Sequence, residues 1–173
     1  MKWKPLKRIA GQMSSGVTLL ELLIGIAILA IVAGIAYPSF QRLAINNYLK
    51  TATRDIASDF AQLKERSLSG DATAFGNRMH RLAVNVGANT YQLQQCNNVG
   101  APCGGWTTIQ VKNLADYSAD IIFDAGATTV LNYDFQPRGT VNSGTIALSN
   151  RLGSTAEIRI NFTGKSRVLF NLQ

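Results

Sequence analysis

Val17-Thr18-Leu19-Leu20-Glu21-Leu22-Leu23-Ile24-Gly25-Ile26-Ala27-Ile28-Leu29-Ala30-Ile31-Val32-Ala33-Gly34-Ile35-Ala36-Tyr37 has only two polar members, Thr18 and Glu21, in 21 residues. A helix of that length and composition can just cross the hydrocarbon of a bilayer. Lys2, Lys4, Lys7 and Arg8 precede it. A cationic flank stays in the cytoplasm, which puts the chain after Tyr37 on the outer side. A cleaved secretory signal has a shorter apolar core and a small-x-small site. Gly34-Ile35-Ala36 could pass as that site, but the run before it is long and opens on an acid. A plain anchor fits the length and gives no reason for Glu21, because a carboxylate near hydrocarbon is costly without a partner. A local reading of the same acid is a capping box, Thr18-x-x-Glu21, closing the helix start.

Composition narrows the function classes. The 173 residues carry 17 Lys+Arg against 10 Asp+Glu, a net +7, and 46% are hydrophobic. Four of the cations lie in the first sixteen residues, so the remainder is 13 minus 10, or +3. So mild a balance argues against a general polyanion binder, and the apolar content excludes a disordered chain. The one histidine, His80, stands alone in Met79-His80-Arg81-Leu82, and no phosphate loop, dinucleotide glycine pattern, HExxH or Cys/His cluster accompanies it. The chain reads as a non-enzyme with no cofactor and no metal site.

Gly16-Val17-Thr18-Leu19-Leu20-Glu21-Leu22-Leu23 resembles the leader of type IV pilins and type II secretion pseudopilins, differing in Val17 where phenylalanine is commonest. The resemblance implies a leader over 1–16 and cleavage after Gly16 by a prepilin peptidase, which also methylates the new amine of Val17. It further implies that Glu21 meets a neighbouring subunit's terminal amine once both leave lipid for a helix bundle, so that neither charge stays orphaned. Ala30 and Gly34 form a small-xxx-small pair that permits close helix approach, equally consistent with a span that simply contains small residues. Pro38 lacks an N–H and crowds the carbonyl of Gly34, predicting a kink or loosening there.

Beyond Pro38 the pattern turns amphipathic. Ile45, Leu49, Ala52, Ile56, Phe60 and Leu63 fall on one helical stripe, with Lys50, Arg54 and Lys64 off it and Gly70 as a stop. Residues 17–69 are therefore expected as one long kinked helix of about 80 Å, membrane-spanning over 17–37. Residues 70–173 read as a β-rich domain, with strands near 80–86, 90–96, 106–111, 129–135, 144–149, 155–161 and 165–171. The fold class is α+β: a long amino-terminal helix packed on an antiparallel β-sheet domain.

Cys96 and Cys103 flank the turn-rich hexapeptide Asn-Asn-Val-Gly-Ala-Pro. Outside the cytoplasm, cysteines this close are expected to form a disulfide stapling loop 96–103.

Phe135-Gln136-Pro137-Arg138-Gly139 and the run from Ile158 to Val168 resemble the H-type pseudopilin and minor-pilin group, the GspH, FimT and FimU relatives. In the last hairpin, Ile158, Ile160, Val168, Phe170 and Leu172 share parity and should share the buried face. A three-residue loop, Phe162-Thr163-Gly164, with a left-handed Gly164 satisfies that parity. It sets Arg159 opposite Arg167 and Asn161 opposite Lys165, an arrangement of opposed like charges. Arg159, Lys165 and Arg167 then read as an uncompensated cationic cluster. In the FimT branch a Gly-Arg-x-Arg motif is associated with DNA binding, and Gly164-Lys165-Ser166-Arg167 is similar with lysine second; a solvated strand face is the other reading. Residues 113–134 oppose a uniform basic surface, carrying Asp116, Asp120, Asp124 and Asp134 with no base.

Together these readings give a minor pilin that assembles with other pilin or pseudopilin subunits. It would be processed by the prepilin peptidase and held in the inner membrane with its carboxyl domain periplasmic. It would then join the tip of a type IV pilus, where it initiates assembly. DNA uptake through a DNA-binding face and service in a type II secretion pseudopilus are the alternatives.

Overall fold

The computed structural model describes residues 18–69, 78–98 and 103–173. One helix, α1, runs Leu19–Ser69 over 51 residues and continues through Pro38. It starts at Leu19 because Thr18 caps it: the Glu21 amide donates to Thr18 Oγ1 at 3.2 Å. Gly70, the expected stop, lies outside the described residues. The chain resolves into two compact units, one ending at Ser39 and the other Phe40–Gln173.

In the second unit the stripe closes on the sheets. Ile45, Leu49, Ala52, Ile56, Phe60 and Leu63 are buried. The strands are β1 (His80–Asn85), β2 (Thr90–Cys96), β3 (Trp106–Asn113), β4 (Ile121–Phe123), β5 (Asn132–Phe135), β6 (Gly144–Asn150), β7 (Thr155–Ile160) and β8 (Ser166–Asn171). They form two antiparallel four-stranded sheets, ordered β3-β2-β1-β5 and β4-β6-β7-β8. The helix stripe, Leu82, Tyr91, Leu93, Tyr133 and Phe135 of the first sheet, and Ile146, Leu148, Ala156 and Ile158 of the second make one core. Phe60 sits at its centre, 4.6 Å from the Phe135 ring and 5.9 Å edge-on to Tyr133.

β4 and a 3-10 turn at Leu114–Asp116 were not among the strands expected from sequence. Three residues between Asp120 and Asp124 carry too little alternation to read as a strand. Ile121 and Phe123 nevertheless bury inward while pairing with β6. The strand expected from residue 129 starts at Asn132, because the residues before it belong to both sheets. Thr129 N donates to Thr145 O of β6 at 3.0 Å, and Leu131 O accepts from Val84 N of β1 at 2.7 Å. This segment carries the chain from one sheet to the other.

Polar groups between helix and sheet are paired. Asp59 is buried and accepts from Tyr91 Oη at 2.7 Å and from Lys112 Nζ at 2.7 and 2.9 Å. Asp55 accepts from Tyr117 Oη at 2.8 Å. Burial first, and then the Asp59 carboxylate, push the Tyr91 phenol far above its ordinary value. Burial, with Asp55 next, pushes Tyr117 up to about 12. His80 is buried with Nδ1 at 3.1 Å from Ser67 Oγ, a structural histidine joining β1 to the last turns of α1.

Candidate assembly site

Gly16 and Val17, where cleavage and methylation are expected, lie outside the described residues. From Leu19 to Tyr37 the large apolar side chains are exposed, Leu19 by 78% and Ile35 by 73%. Glu21 is exposed in the first turn, and among the described residues no cation pairs with its carboxylate. The Thr18 cap satisfies a backbone amide and leaves the acid's charge available. Ala30 and Gly34 are exposed on this segment, and a Cβ added at Gly34 would meet nothing within 4 Å. Pro38 is also exposed, inside the helix. The unit presents an apolar surface with one acid near its start, as a segment built for lipid or for like helices would.

The carboxyl hairpin takes the register that parity requires. Arg159 pairs with Arg167, Asn161 N donates to Lys165 O at 3.1 Å, and Gly164 adopts φ +68°. Two features differ from the sequence reading. Arg159 is not uncompensated: its Nε and Nη2 donate to Glu157 Oε2 at 2.9 and 2.8 Å. Glu157 lies two residues back on the same strand face, a partner that strand periodicity could have supplied. The cationic face therefore reduces to Lys165 and Arg167, both exposed. Of the row expected inside, Ile158 and Ile160 are buried and Val168 packs on the core, whereas Phe170 and Leu172 are 37% and 38% exposed. β8 is an edge strand, and its far half overruns the core.

The two glycine motifs meet in space, which neither shows alone. Gly139 has φ +76° and closes the Gln136–Gly139 turn, its amide donating to Gln136 O at 2.8 Å. A Cβ on Gly164 would lie 3.2 Å from Gly139 O and 3.1 Å from Lys64 Cδ. Lys64 Nζ donates to Thr163 O at 2.9 Å and Gly164 O at 3.3 Å, so the last turns of α1 cap the carbonyls of the hairpin loop. On sequence Lys64 is only a residue off the apolar stripe, and no local signal marks it as a clamp.

Cys96 and Cys103 are joined by a disulfide with Cα atoms 5.8 Å apart. It staples the turn between β2 and β3. Nearby, the Arg81 guanidinium lies 4.1 Å from the Trp106 ring centroid while Nη2 donates to Asp134 Oδ2 at 2.8 Å. Asp134 and Asp120, which pairs with Arg151 at 3.4 Å, are thus partly neutralised by bases outside the acidic tract.

Residues 12–37 match the prokaryotic N-terminal methylation motif. The fold is similar to two solved structures of the minor pseudopilin EpsH from the type 2 secretion system of Vibrio cholerae. One is 14% identical with a TM-score of 0.53, covering 70% of this chain and 96% of that one. The other is 12% identical with a TM-score of 0.54, covering 71% and 94%. The amino end thus carries a prokaryotic N-terminal methylation motif, and the fold is that of a minor pseudopilin. No curated protein matches this chain's sequence. The methylation motif and the exposed apolar helix fit membrane anchoring.

Proposed function

We propose that this chain is a minor pilin, a non-catalytic subunit that initiates a type IV pilus at its tip. Its precursor is cleaved after Gly16 by the prepilin peptidase and methylated on Val17. It waits in the inner membrane through residues 17–37, with the carboxyl domain in the periplasm. Glu21 then pairs with a neighbouring subunit's terminal amine, Gly34 lets helices approach, and Pro38 allows the filament helix to loosen. One observation carries this reading: an apolar helical surface, exposed throughout, bears a lone carboxylate near its capped start, inside the span of the methylation motif. Gly16→Ala should leave the precursor at full size, and Glu21→Ala should be processed yet missing from sheared filaments. A mature chain starting anywhere but Val17, or wild-type protein absent from sheared pili, overturns the reading. Recovery in a secretion pseudopilus instead, the machine to which EpsH belongs, would move the subunit to that assembly.

DNA binding is a second reading, favoured by the opposed Arg159 and Arg167 with exposed Lys165 beside them. The Glu157 pair leaves two cations rather than three, so retention should be weak, sequence-independent and steeply salt-dependent. Loss of low-salt DNA retention in a Lys165→Ala, Arg167→Ala double variant supports it; unchanged retention removes it.

A further inference from the structure

Among the described residues the two sheets have four edges, and three are occupied, interrupted or short. On β5 the Asn142 side chain occupies the edge: Nδ2 donates to Asn132 O at 2.7 Å and Oδ1 accepts from Asp134 N at 3.0 Å. β3 is interrupted by a register shift opposite Leu93 and Gln94, a bulge that leaves runs of only three and four residues in register. β4 has three residues, and Thr128 and Thr129 bond the next stretch of β6 on that side. β8 remains, six residues in unbroken register with β7.

Hairpin bonding identifies its free groups. Asn161 N donates to Lys165 O, which makes 161 and 165 a hydrogen-bonded pair. By alternation Arg159 and Arg167, then Glu157 and Leu169, are bonded pairs too. The N–H and C=O groups of Ser166, Val168 and Phe170 therefore point away from β7. Beside them lie the half-exposed Phe170 and Leu172 on one face and Leu169 on the other. From Val168 to Gln173 there is no proline and no charge, the devices by which edge strands refuse partners. Charge appears only at the other end, as Lys165 and Arg167, which among the described residues have no acidic partner.

We propose that the β8 edge docks an extended strand of another protein, one whose side chains alternate between acidic and apolar. Apolar residues would continue the row of Val168 and Phe170, and acids would face Arg167 and Lys165. A second copy of this chain does not fit: in parallel register Lys165 and Arg167 would lie beside the same cations of the other copy. β8 runs from the Lys64 end of α1, where its loop is clamped, to the Asn46 end, where Asn46 Nδ2 donates to Gln173 O at 3.0 Å. Antiparallel pairing of two β8 strands would therefore set two α1 helices head to tail. Chains anchored in one membrane have these helices aligned, an exclusion that rests on the anchoring proposed above.

The test uses the full chain in detergent micelles and an end-blocked peptide of alternating valine and glutamate. Bound peptide should slow amide exchange at Ser166, Val168 and Phe170 by about tenfold or more, while a valine–lysine peptide leaves it unchanged. Phe170→Pro removes an outward N–H and an exposed ring, and Ser166→Pro removes an outward N–H alone. Each should abolish the protection without altering exchange in β1 and β2. If the acidic peptide gives no protection, the lysine peptide protects equally, or both proline variants retain protection, the proposal fails. None of these outcomes depends on filament incorporation, so they stand apart from the fate of the pilus reading.

Discussion

α1 is one run of backbone hydrogen bonds with two kinds of surface. Up to Ser39 its large apolar side chains are exposed all round; from Phe40 onward it buries Ile45, Leu49, Ala52, Ile56, Phe60 and Leu63 and exposes most of the rest. A helix can be helical for either reason, and only the distribution of apolar residues around it says what it was built to lie against. The first part has the composition of a lipid-soluble rod and the second that of a domain helix.

Paired truncations break or sharpen that contrast. Phe60→Ala should lower the unfolding free energy of the β domain by about 3–5 kcal/mol, because the cavity lies between Tyr133 and Phe135. Leu29→Ala, on the exposed part, should change it by less than about 0.5 kcal/mol, read in the same denaturant titration. Equal effects would mean that the two parts are not energetically distinct.

Asp59→Ala removes the acceptor of a buried phenol and of Lys112 and should cost about 3 kcal/mol, at the low end for a broken buried pair because Lys112 is partly solvated. Midpoints of chemical unfolding followed by Trp106 fluorescence would show it. Gly139→Ala should cost about 1–2 kcal/mol from the left-handed φ alone. The new Cβ would also displace Leu68 Cδ2, 2.7 Å away, but as the tip of a half-exposed side chain it can move.

Tyr133→Phe should act in the opposite direction. The Tyr133 hydroxyl is buried and, among the described residues, has no hydrogen-bond partner. Deleting it should raise stability by about 1 kcal/mol, seen as a higher melting temperature. The smallest effect is on alkaline stability. Tyr117 has its folded pKa raised above the ordinary 10 to about 12, so its contribution is complete below pH 10 and lost as pH rises toward 12. Tyr117→Phe should flatten the fall of the melting temperature across that window, and a profile no flatter than wild type would show that Asp55 and burial do not hold this proton.

The helix, seven of the eight strands and the hairpin register were legible in the chain because each rests on a short period: 3.6 residues, two residues, or the parity of a loop. β4 was not legible, since three residues hold too few repeats to show a period. Among site residues, the stapling disulfide was legible from the spacing of Cys96 and Cys103 across a turn-rich hexapeptide, and Arg159 opposite Arg167 from parity. Its true partner, Glu157, was missed because cross-strand arithmetic ignores neighbours along the same strand.

The amino-acid order by itself determined that this protein has an apolar rod with one acid, an amphipathic continuation, and strands ending in a hairpin of known register. Those are local properties, set by side-chain chemistry and chain periodicity. The tertiary structure alone decided that the strands divide into two sheets, that Gly139 and Gly164 lie close together beside Lys64, and that among the described residues β8 is the longest uninterrupted edge. Each of these depends on which distant residues share one core, and no periodicity along a chain encodes a contact between residues a hundred positions apart.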